Sequence, residues 1–325
     1  MNRRATLLVL ATTASLWFGH AQSQAPRELQ MGFIATESSA NLKAAWQPLL
    51  DDLQKATGYK VAPFFAPDYA GIIEAMRFNK VQVAFMGNKS AMEAVDRSQG
   101  EVFAKVAAVD GTQGYWSLMI VHKDSPLKTL DDVLKNRQNL TLGMGDTNST
   151  SGTLVPGFYA WGQNKVDPMK DFKRSMRANH ESNILAVVNK QVDVATVASD
   201  GVDRMRIKQP EAAAELREVW RSPLISSDPF VWRKDLDADA KKKLREFLLA
   251  YGKDPREKDI LKNLTYSAIV ASDNAQLNPI RQLELARDRT RVEADAAMSP
   301  DDKAKKLQEI EQRQAELARQ LASAK

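Results

Sequence analysis

The sequence predicts an α/β protein built as two lobes joined by two crossings, with a helical extension at its C-terminal end. Between Leu29 and Arg97, short apolar runs alternate with amphipathic segments of helical spacing, the pattern of strands packed under helices. Asp124-Ser125-Pro126 breaks that run, and a second alternation of the same kind follows it. The chain then leaves through Arg221-Ser222-Pro223 and resumes beyond it. One α/β unit is therefore interrupted by another, with crossings expected near His122–Ser125 and Arg221–Leu224. This divides the chain into a first lobe of 24–122 and 225–285, a second lobe of 123–224, and an extension of 286–325.

In order, Leu29 to Ala35 reads as a buried strand. Asn41 to Thr57 reads as a helix, with Leu42, Trp46, Leu49, Leu50 and Leu53 on one face, although Pro48 argues against an unbroken run. Tyr59 to Phe65 is a strand, and Tyr69 to Phe78 a helix capped by Asp68. Val81 to Met86 is a strand, followed by a helix from Ala91 to Arg97 with Ser90 as its cap. Val102 to Val109 and Trp116 to Val121 are strands, and the sheet is expected to be mainly parallel. In the second run, Leu130 to Leu134 is helical and Leu140 to Met144 a strand, with a helix after Gly152. Phe172 to Met176 is a strand, Ile184 to Asn189 a helix, Val192 to Ala198 a strand and Val202 to Ile207 a helix. Glu218 to Leu224 leads out, and Ala238 to Tyr251 and Ile260 to Ile269 read as helices.

Ser299-Pro300-Asp301-Asp302 is a helix start: a cap, a proline in the first turn, and acids at the positive dipole end. Beyond it Leu307, Ile310, Gln314, Leu317 and Leu321 repeat at alternating three and four. Such a seam either lies on its own lobe or makes a homodimer contact.

Composition narrows the class. Arg3 and Arg4, the apolar run from Leu7 to Phe18 and then Ala21-Gln22-Ser23 have the three-part form of a secretory signal, so residues 1–23 are expected to be removed on export. The run is shorter than the roughly 18 residues of a membrane span. The chain has no cysteine, so no disulfide, thiolate nucleophile or lipid-acceptor thiol is available, which fits a free protein in the periplasm. Without Arg3 and Arg4, 44 of the 46 basic residues face 41 acidic ones, a balance of +3. These charges are interspersed and read as solvated surface, with no nucleic-acid partner. Neither a metal site nor a cofactor site has the spacing it would need.

The stretch that organises the rest is Gly145-Asp146-Thr147-Asn148-Ser149-Thr150-Ser151-Gly152, between an apolar strand and a helix. A helix start carries unpaired N–H groups and a positive dipole end, which together form an anion site. Ser149, Thr150 and Ser151 add hydroxyl donors, and Gly152 leaves room for a ligand to approach the backbone. No Lys or Arg lies in the turn, so neutral donors would hold the anion. The plainer alternative is that Ser149 or Ser151 only caps the helix.

This turn, with Ala66-Pro67-Asp68-Tyr69-Ala70-Gly71 before it and Asn179-His180-Glu181 after it, resembles the periplasmic phosphonate-binding protein of the phosphonate ABC transporter. Ser90–Arg97, Asn189–Thr196 and Asp228-Pro229-Phe230-Val231-Trp232-Arg233-Lys234 extend the resemblance from about Met31 to the C-terminal region. It implies a class II periplasmic binding protein fold. It also implies a high-affinity receptor for phosphonates of the 2-aminoethylphosphonate type, delivering them to the permease subunits of an ABC transporter in the inner membrane.

The matched positions make Tyr69, Ser149, Thr150, Ser151 and His180 the phosphonate-binding residues and Tyr115, Asp200 and Asp228 the amine-binding ones. A tetrahedral phosphonate needs several donors, and its ammonium needs a carboxylate and an aromatic face. Beside an anion, His180 is expected to be charged, with both ring nitrogens donating. Each residue has an ordinary alternative: Tyr69 and Tyr115 as packing, His180 as structural, Asp200 as a helix cap, Asp228 as a turn former. Asp200 departs from the family pattern, which has Glu there, and Met86 stands where an aromatic is usual. Met86 is expected to pack in the core.

Two other functions compete. A receptor for phosphate, phosphite or methylphosphonate would have no use for Asp200 and Asp228. A phosphonate-hydrolysing enzyme would need a metal cluster or a nucleophile–base pair. His180 with Ser149 or Thr150 only imitates such a pair, so no catalytic residue is assigned.

Overall fold

The computed structural model describes residues 27–323. The signal-peptide reading of residues 1–23 lies outside the described residues. The first α/β run folds as β1 (Glu28–Phe33), α1 (Ser39–Thr57), β2 (Lys60–Phe65), α2 (Tyr69–Arg77), β3 (Val83–Phe85), α3 (Asn88–Arg97) and β4 (Gly100–Ala108). The short strand β5 (Gly114–Tyr115) leads into β6 (Ser117–His122), α4 (Leu130–Asn136) and β7 (Thr141–Met144). Two π-helical turns, Thr150–Leu154 and Gly157–Trp161, follow. Then come β8 (Arg174–Arg177), α5 (His180–Val188), β9 (Val194–Ala198), α6 (Ser199–Lys208), α7 (Pro210–Ala214) and β10 (Leu216–Arg221). The return runs through β11 (Ile225–Ser226), β12 (Pro229–Arg233), α8 (Ala238–Ala250), α9 (Pro255–Asn263) and β13 (Tyr266–Ala271). The extension is the helix pair α10 (Asn278–Ala294) and α11 (Pro300–Ser323).

The strands form a six-stranded sheet of order β13-β4-β12-β3-β1-β2 and a five-stranded sheet of order β10-β6-β9-β7-β8. The ribbon β11-β5 lies between the two. The expectation of a mainly parallel sheet is corrected. β1, β2 and β3 run parallel, as do β7, β8 and β9, but β12 and β6 run antiparallel to their neighbours. Each of these two strands is the one that enters a sheet from the other lobe. It starts at the cleft edge, where strands followed by helices end, and so runs the opposite way.

The first crossing is also corrected. β6 pairs with β9 and β10 in the second sheet, so the chain crosses ahead of Ser117 and not near His122–Ser125. The second crossing falls between β10 and β11, at Arg221–Leu224.

Helix α1 runs unbroken through Pro48. An interior proline costs about 3 kcal/mol. Against that, Leu42, Trp46, Leu49, Leu50 and Leu53 are all buried, and each large apolar side chain is worth about 1.5–3 kcal/mol. Trp46 sits at the centre of this core, 4.9 Å from the rings of both Phe33 and Phe85. α3 begins earlier than expected, at Asn88 with Gly87 as its cap, and the Ser90 hydroxyl donates to the Gly87 carbonyl from inside the first turn. The segment expected as one helix, Ile260 to Ile269, splits into the end of α9 and strand β13. Met86 is fully buried in the core, as expected.

In α11 the seam residues Leu307, Ile310, Gln314, Leu317 and Leu321 are its buried or half-buried positions, with Lys303, while the rest of the described helix is exposed. α11 packs against α10. The seam thus serves contact within the chain. Ile280 and Leu283 of α10, with Leu277 just before it, join a cluster with Leu154, Val155 and Tyr159 of the second lobe.

Candidate functional site

The carboxyl ends of β1, β2, β3, β7, β8 and β9 open on the same cleft, where ligands of open α/β sheets bind. Helix starts follow each of these strands. Tyr69 is the first residue of α2, His180 of α5, and Ser199-Asp200 open α6. Ser149 caps the helical turn that begins at Thr150, so that helix starts earlier than the sequence suggested. Asp228 immediately precedes β12, whose reversed direction brings its start to the cleft, and Tyr115 lies in the connecting ribbon. The structure therefore brings all eight expected residues to one place.

The hydroxyl turn is tightly wired. Ser149 Oγ accepts from the Gly152 N–H at 3.0 Å and stands 3.4 Å from His180 Nε2. His180 Nδ1 accepts from the Ala198 N–H at 3.2 Å, which puts the ring proton of a neutral imidazole on Nε2, aimed at Ser149. With its acceptor side thus engaged, the Ser149 hydroxyl has its proton to give, and the Tyr69 phenol is its hydrogen-bond partner. Thr150 Oγ1 accepts from the Lys89 N–H of α3 at 2.8 Å and keeps its own proton to give. The Ser151 carbonyl accepts from Ser117 Oγ at 2.6 Å. Ser149, Thr150 and Ser151 are 1 %, 2 % and 2 % exposed.

Gly152 has a different use from the one expected. A Cβ there would lie 2.7 Å from Gly145 Cα, so the small residue lets the two ends of the turn touch. Although no cation lies within the turn, two reach it from elsewhere. Lys89 Nζ donates to Asn148 Oδ1 at 3.2 Å, and Arg177 donates to the Gly145 carbonyl at 2.8 Å.

His180 also departs from expectation. Burial, reinforced by Arg204, pulls its pKa down to about 4 against the pull of Asp200 and Glu37, and Nδ1 is engaged as an acceptor, so only Nε2 can donate. The sign for stability follows. Between pH 6.5 and about 4 the unfolded chain takes up a proton that the folded ring refuses, so ligand-free stability falls as pH drops. The loss through this residue is about 3 kcal/mol by pH 4. Denaturant unfolding across this range is expected to show that slope in the parent protein and to lose it in His180→Gln. An equal slope in both would remove His180 as its source.

At the other end, Asp200 Oδ2 accepts from Arg204 at 2.9 Å, and Arg204 also binds Glu37 of the β1–α1 loop, which holds Lys208 Nζ at 2.9 Å. Burial opposes charge on Asp200, but Arg204 outweighs it and holds the carboxyl below its usual range. Asp228 is the opposite case. Burial and the nearby Asp200 charge push it well above the carboxylate range, with Tyr115 hydrogen-bonded to it and Asn88 Nδ2 at 3.3 Å from its Oδ1. The phenols of Tyr69 and Tyr115 are held well above their usual range, first by burial and then by Asp228.

Sequence reasoning missed Glu37, Lys89, Arg204 and Tyr266. Tyr266 is buried, and its pKa is raised first by burial and then by the charge of Asp200. Only Arg204 carried a local signal, standing one helical turn after Asp200. Among the described residues no group of three or more His, Cys, Asp or Glu side chains is placed to hold a metal, and no helix is long and apolar enough to cross a membrane.

The lobes touch across the cleft. The Tyr69 N–H reaches Asp146 Oδ2 at 3.3 Å, and the Ser38 N–H reaches Glu181 Oε2 at 3.0 Å. A cavity of about 470 Å³ opens beside Tyr115, Asp200 and Asp228.

Comparison with known proteins bears on this geometry. Residues 31–277 match the family model described as ABC transporter, phosphonate, periplasmic substrate-binding protein. The phosphonates-binding periplasmic protein of Escherichia coli K12 is 50% identical over 292 residues, covering 90% of this chain and 86% of that one. The crystal structure of a binding protein component of an ABC phosphonate transporter from Pseudomonas aeruginosa superposes with a TM-score of 0.89 at 50% identity, covering 92% of this chain and 99% of that one. PhnD1 from Prochlorococcus marinus, solved with methylphosphonate, shares the two-lobed class II fold with a TM-score of 0.72 at 21% identity, over 81% of this chain and 99% of that one. These relatives are substrate-binding transport proteins and not enzymes. The chain belongs to the family of periplasmic substrate-binding proteins of phosphonate ABC transporters.

Proposed function

We propose that this protein is the periplasmic receptor for 2-aminoethylphosphonate and related aminoalkylphosphonates, exported by its N-terminal signal and delivering its ligand to the permease of an ABC transporter. The observation that carries it is the pairing of a buried hydroxyl turn with a carboxylate that lacks a cation. Ser149, Thr150, Tyr69 and His180 converge at three helix starts, and Asp228 lies beyond them without an ion pair among the described residues.

The phosphonate oxygens accept hydrogen bonds from Ser149, Thr150 and Tyr69, with Ser151 and the backbone N–H groups completing the shell, and the His180 Nε2–H shifts from Ser149 to the bound anion. The ligand ammonium sits at Asp228 and against Tyr115. Asp200 is held by Arg204, so its part is to keep Arg204 in place more than to meet the amine. Lobe closure about the ribbon buries the ligand and presents the loaded form to the permease.

One observation favours a second reading, a receptor for amine-free anions such as methylphosphonate, phosphite or phosphate. With Asp200 neutralised and Asp228 pushed toward its protonated form, the amine end of the ligand-free site is nearly uncharged. Calorimetric titration with 2-aminoethylphosphonate, methylphosphonate, phosphite and phosphate separates the two. Tightest binding of 2-aminoethylphosphonate is expected, and equal or tighter binding of the amine-free anions would transfer the assignment to them. Ser149→Ala is expected to weaken 2-aminoethylphosphonate and methylphosphonate alike by about 1–3 kcal/mol, since both share the headgroup. Unchanged affinity for both would remove Ser149 from the site.

A further inference from the structure

The cavity beside the acids is larger than an ammonium needs. Its volume of about 470 Å³ lies within the roughly 300–1,000 Å³ of pockets that hold drug-sized ligands. Tyr115, Asp200 and Asp228 line its inner wall, while none of the hydroxyl-turn residues touches it, so it lies on the amine side of the site.

Beside the charged Asp110, Asp203 and Arg206 at its edge, its outer walls carry one large apolar side chain from each lobe. Val109 follows β4 in the first lobe, and Ile207 lies on α6 in the second. They are 53 % and 51 % exposed, among the few large apolar side chains left open on the described surface, and both face this one cavity. The charges at its edge are partly spent, since Arg206 bonds Asp203. A wall of this kind favours an apolar group over water.

We propose that the receptor accepts 2-aminoethylphosphonates alkylated on nitrogen, the phosphonate held by the hydroxyl turn and the alkyl chain running out between Val109 and Ile207. This rests on the assignment of the phosphonate and amine ends made above. A secondary ammonium keeps its charge and two N–H donors, enough for Asp228 and Tyr115, and its third substituent points away from them. Each methylene removed from water adds about fourfold in affinity.

The test is calorimetry of 2-aminoethylphosphonate and its N-butyl derivative with the parent protein and with a Val109→Ser/Ile207→Ser double variant. Half-exposed walls shield about two of the four butyl carbons, so the N-butyl compound is expected to bind the parent about fifteenfold more tightly than 2-aminoethylphosphonate. The double variant is expected to erase that advantage while keeping 2-aminoethylphosphonate within about twofold. Weaker binding of the N-butyl compound to the parent, with 2-aminoethylphosphonate bound normally, would overturn the extension while leaving the receptor assignment standing. An advantage that survives in the double variant would overturn it too. If neither compound binds, the receptor assignment fails and takes this inference with it.

Discussion

Asp228→Asn is expected to bind 2-aminoethylphosphonate about 2–5 kcal/mol more weakly while leaving methylphosphonate nearly unchanged, because it removes a carboxylate at the amine end that has no ion pair among the described residues. The side chain touches Asn88 and Tyr115, both neutral, and burial drives it well above the usual carboxylate range. An ammonium arriving beside it favours the charged carboxylate, so 2-aminoethylphosphonate binding is expected to lower the pKa of Asp228 and to release a proton wherever that carboxyl holds one. Titration in buffers of different ionisation enthalpy reads this release, and the Asn variant should lose it. The same raised pKa sets the sign of a stability effect. Above pH 3.8 the unfolded chain ionises this carboxyl and the folded chain resists, so it destabilises the ligand-free protein as pH rises. The Asn variant should therefore be at least as stable as the parent without ligand. A variant that loses both ligands equally would show that Asp228 only shapes the turn before Pro229.

Local chemistry made much of this site legible. Ser149-Thr150-Ser151 at a strand–helix junction announces unpaired N–H groups and hydroxyls together, and the structure has Ser149 at the cap. Asp68, one residue before Tyr69, caps α2 as its residue type suggests. What local chemistry cannot show is which distant group completes a pair. His180 was expected to be a charged double donor. Its tautomer is set by the N–H of Ala198, which only the packing of α5 against β9 brings near. Arg204 meets Glu37 across 167 positions of sequence, and no periodicity encodes that. Strand direction was hidden for the same reason: an apolar run reads alike whether it enters a sheet from its own lobe or, as β6 does, from the other. Pro48 and the Ile260–Ile269 segment went astray because propensity is a small term that burial against a sheet overrides.

Removing the Arg204 guanidinium is expected to have the largest effect on the fold, because it strands the largely buried Asp200 and leaves the buried Glu37 with Lys208 alone. Glu37 is held below its usual range by Arg204 and Lys208 against the cost of burial, and Asp200 by Arg204. The three side chains are 10 %, 8 % and 23 % exposed for Arg204, Glu37 and Asp200, so solvent screens them little. Breaking a buried pair by deleting one partner costs about 3–5 kcal/mol, and Arg204→Leu is expected to lose that much in urea unfolding at pH 7. The deficit should shrink as pH falls through the lowered carboxylate values, because these depressed groups stabilise the fold above their unfolded pKa and cease to do so once protonated. Adding Glu37→Gln to Arg204→Leu removes one of these charges and should restore part of the loss, which separates a charge effect from simple loss of packing. Glu37 belongs to the loop after β1 and Arg204 to the helix after β9, so this pair also ties one lobe to the other. Arg204→Leu is therefore expected to open the ligand-free cleft, seen as a larger radius of gyration in solution scattering. In the fraction that still folds, Asp200 is released to face the ligand, and selectivity for 2-aminoethylphosphonate over methylphosphonate should rise. Stability within about 1 kcal/mol of the parent would mean that solvent already satisfies these charges and that the bridge carries neither the fold nor the closure of the cleft.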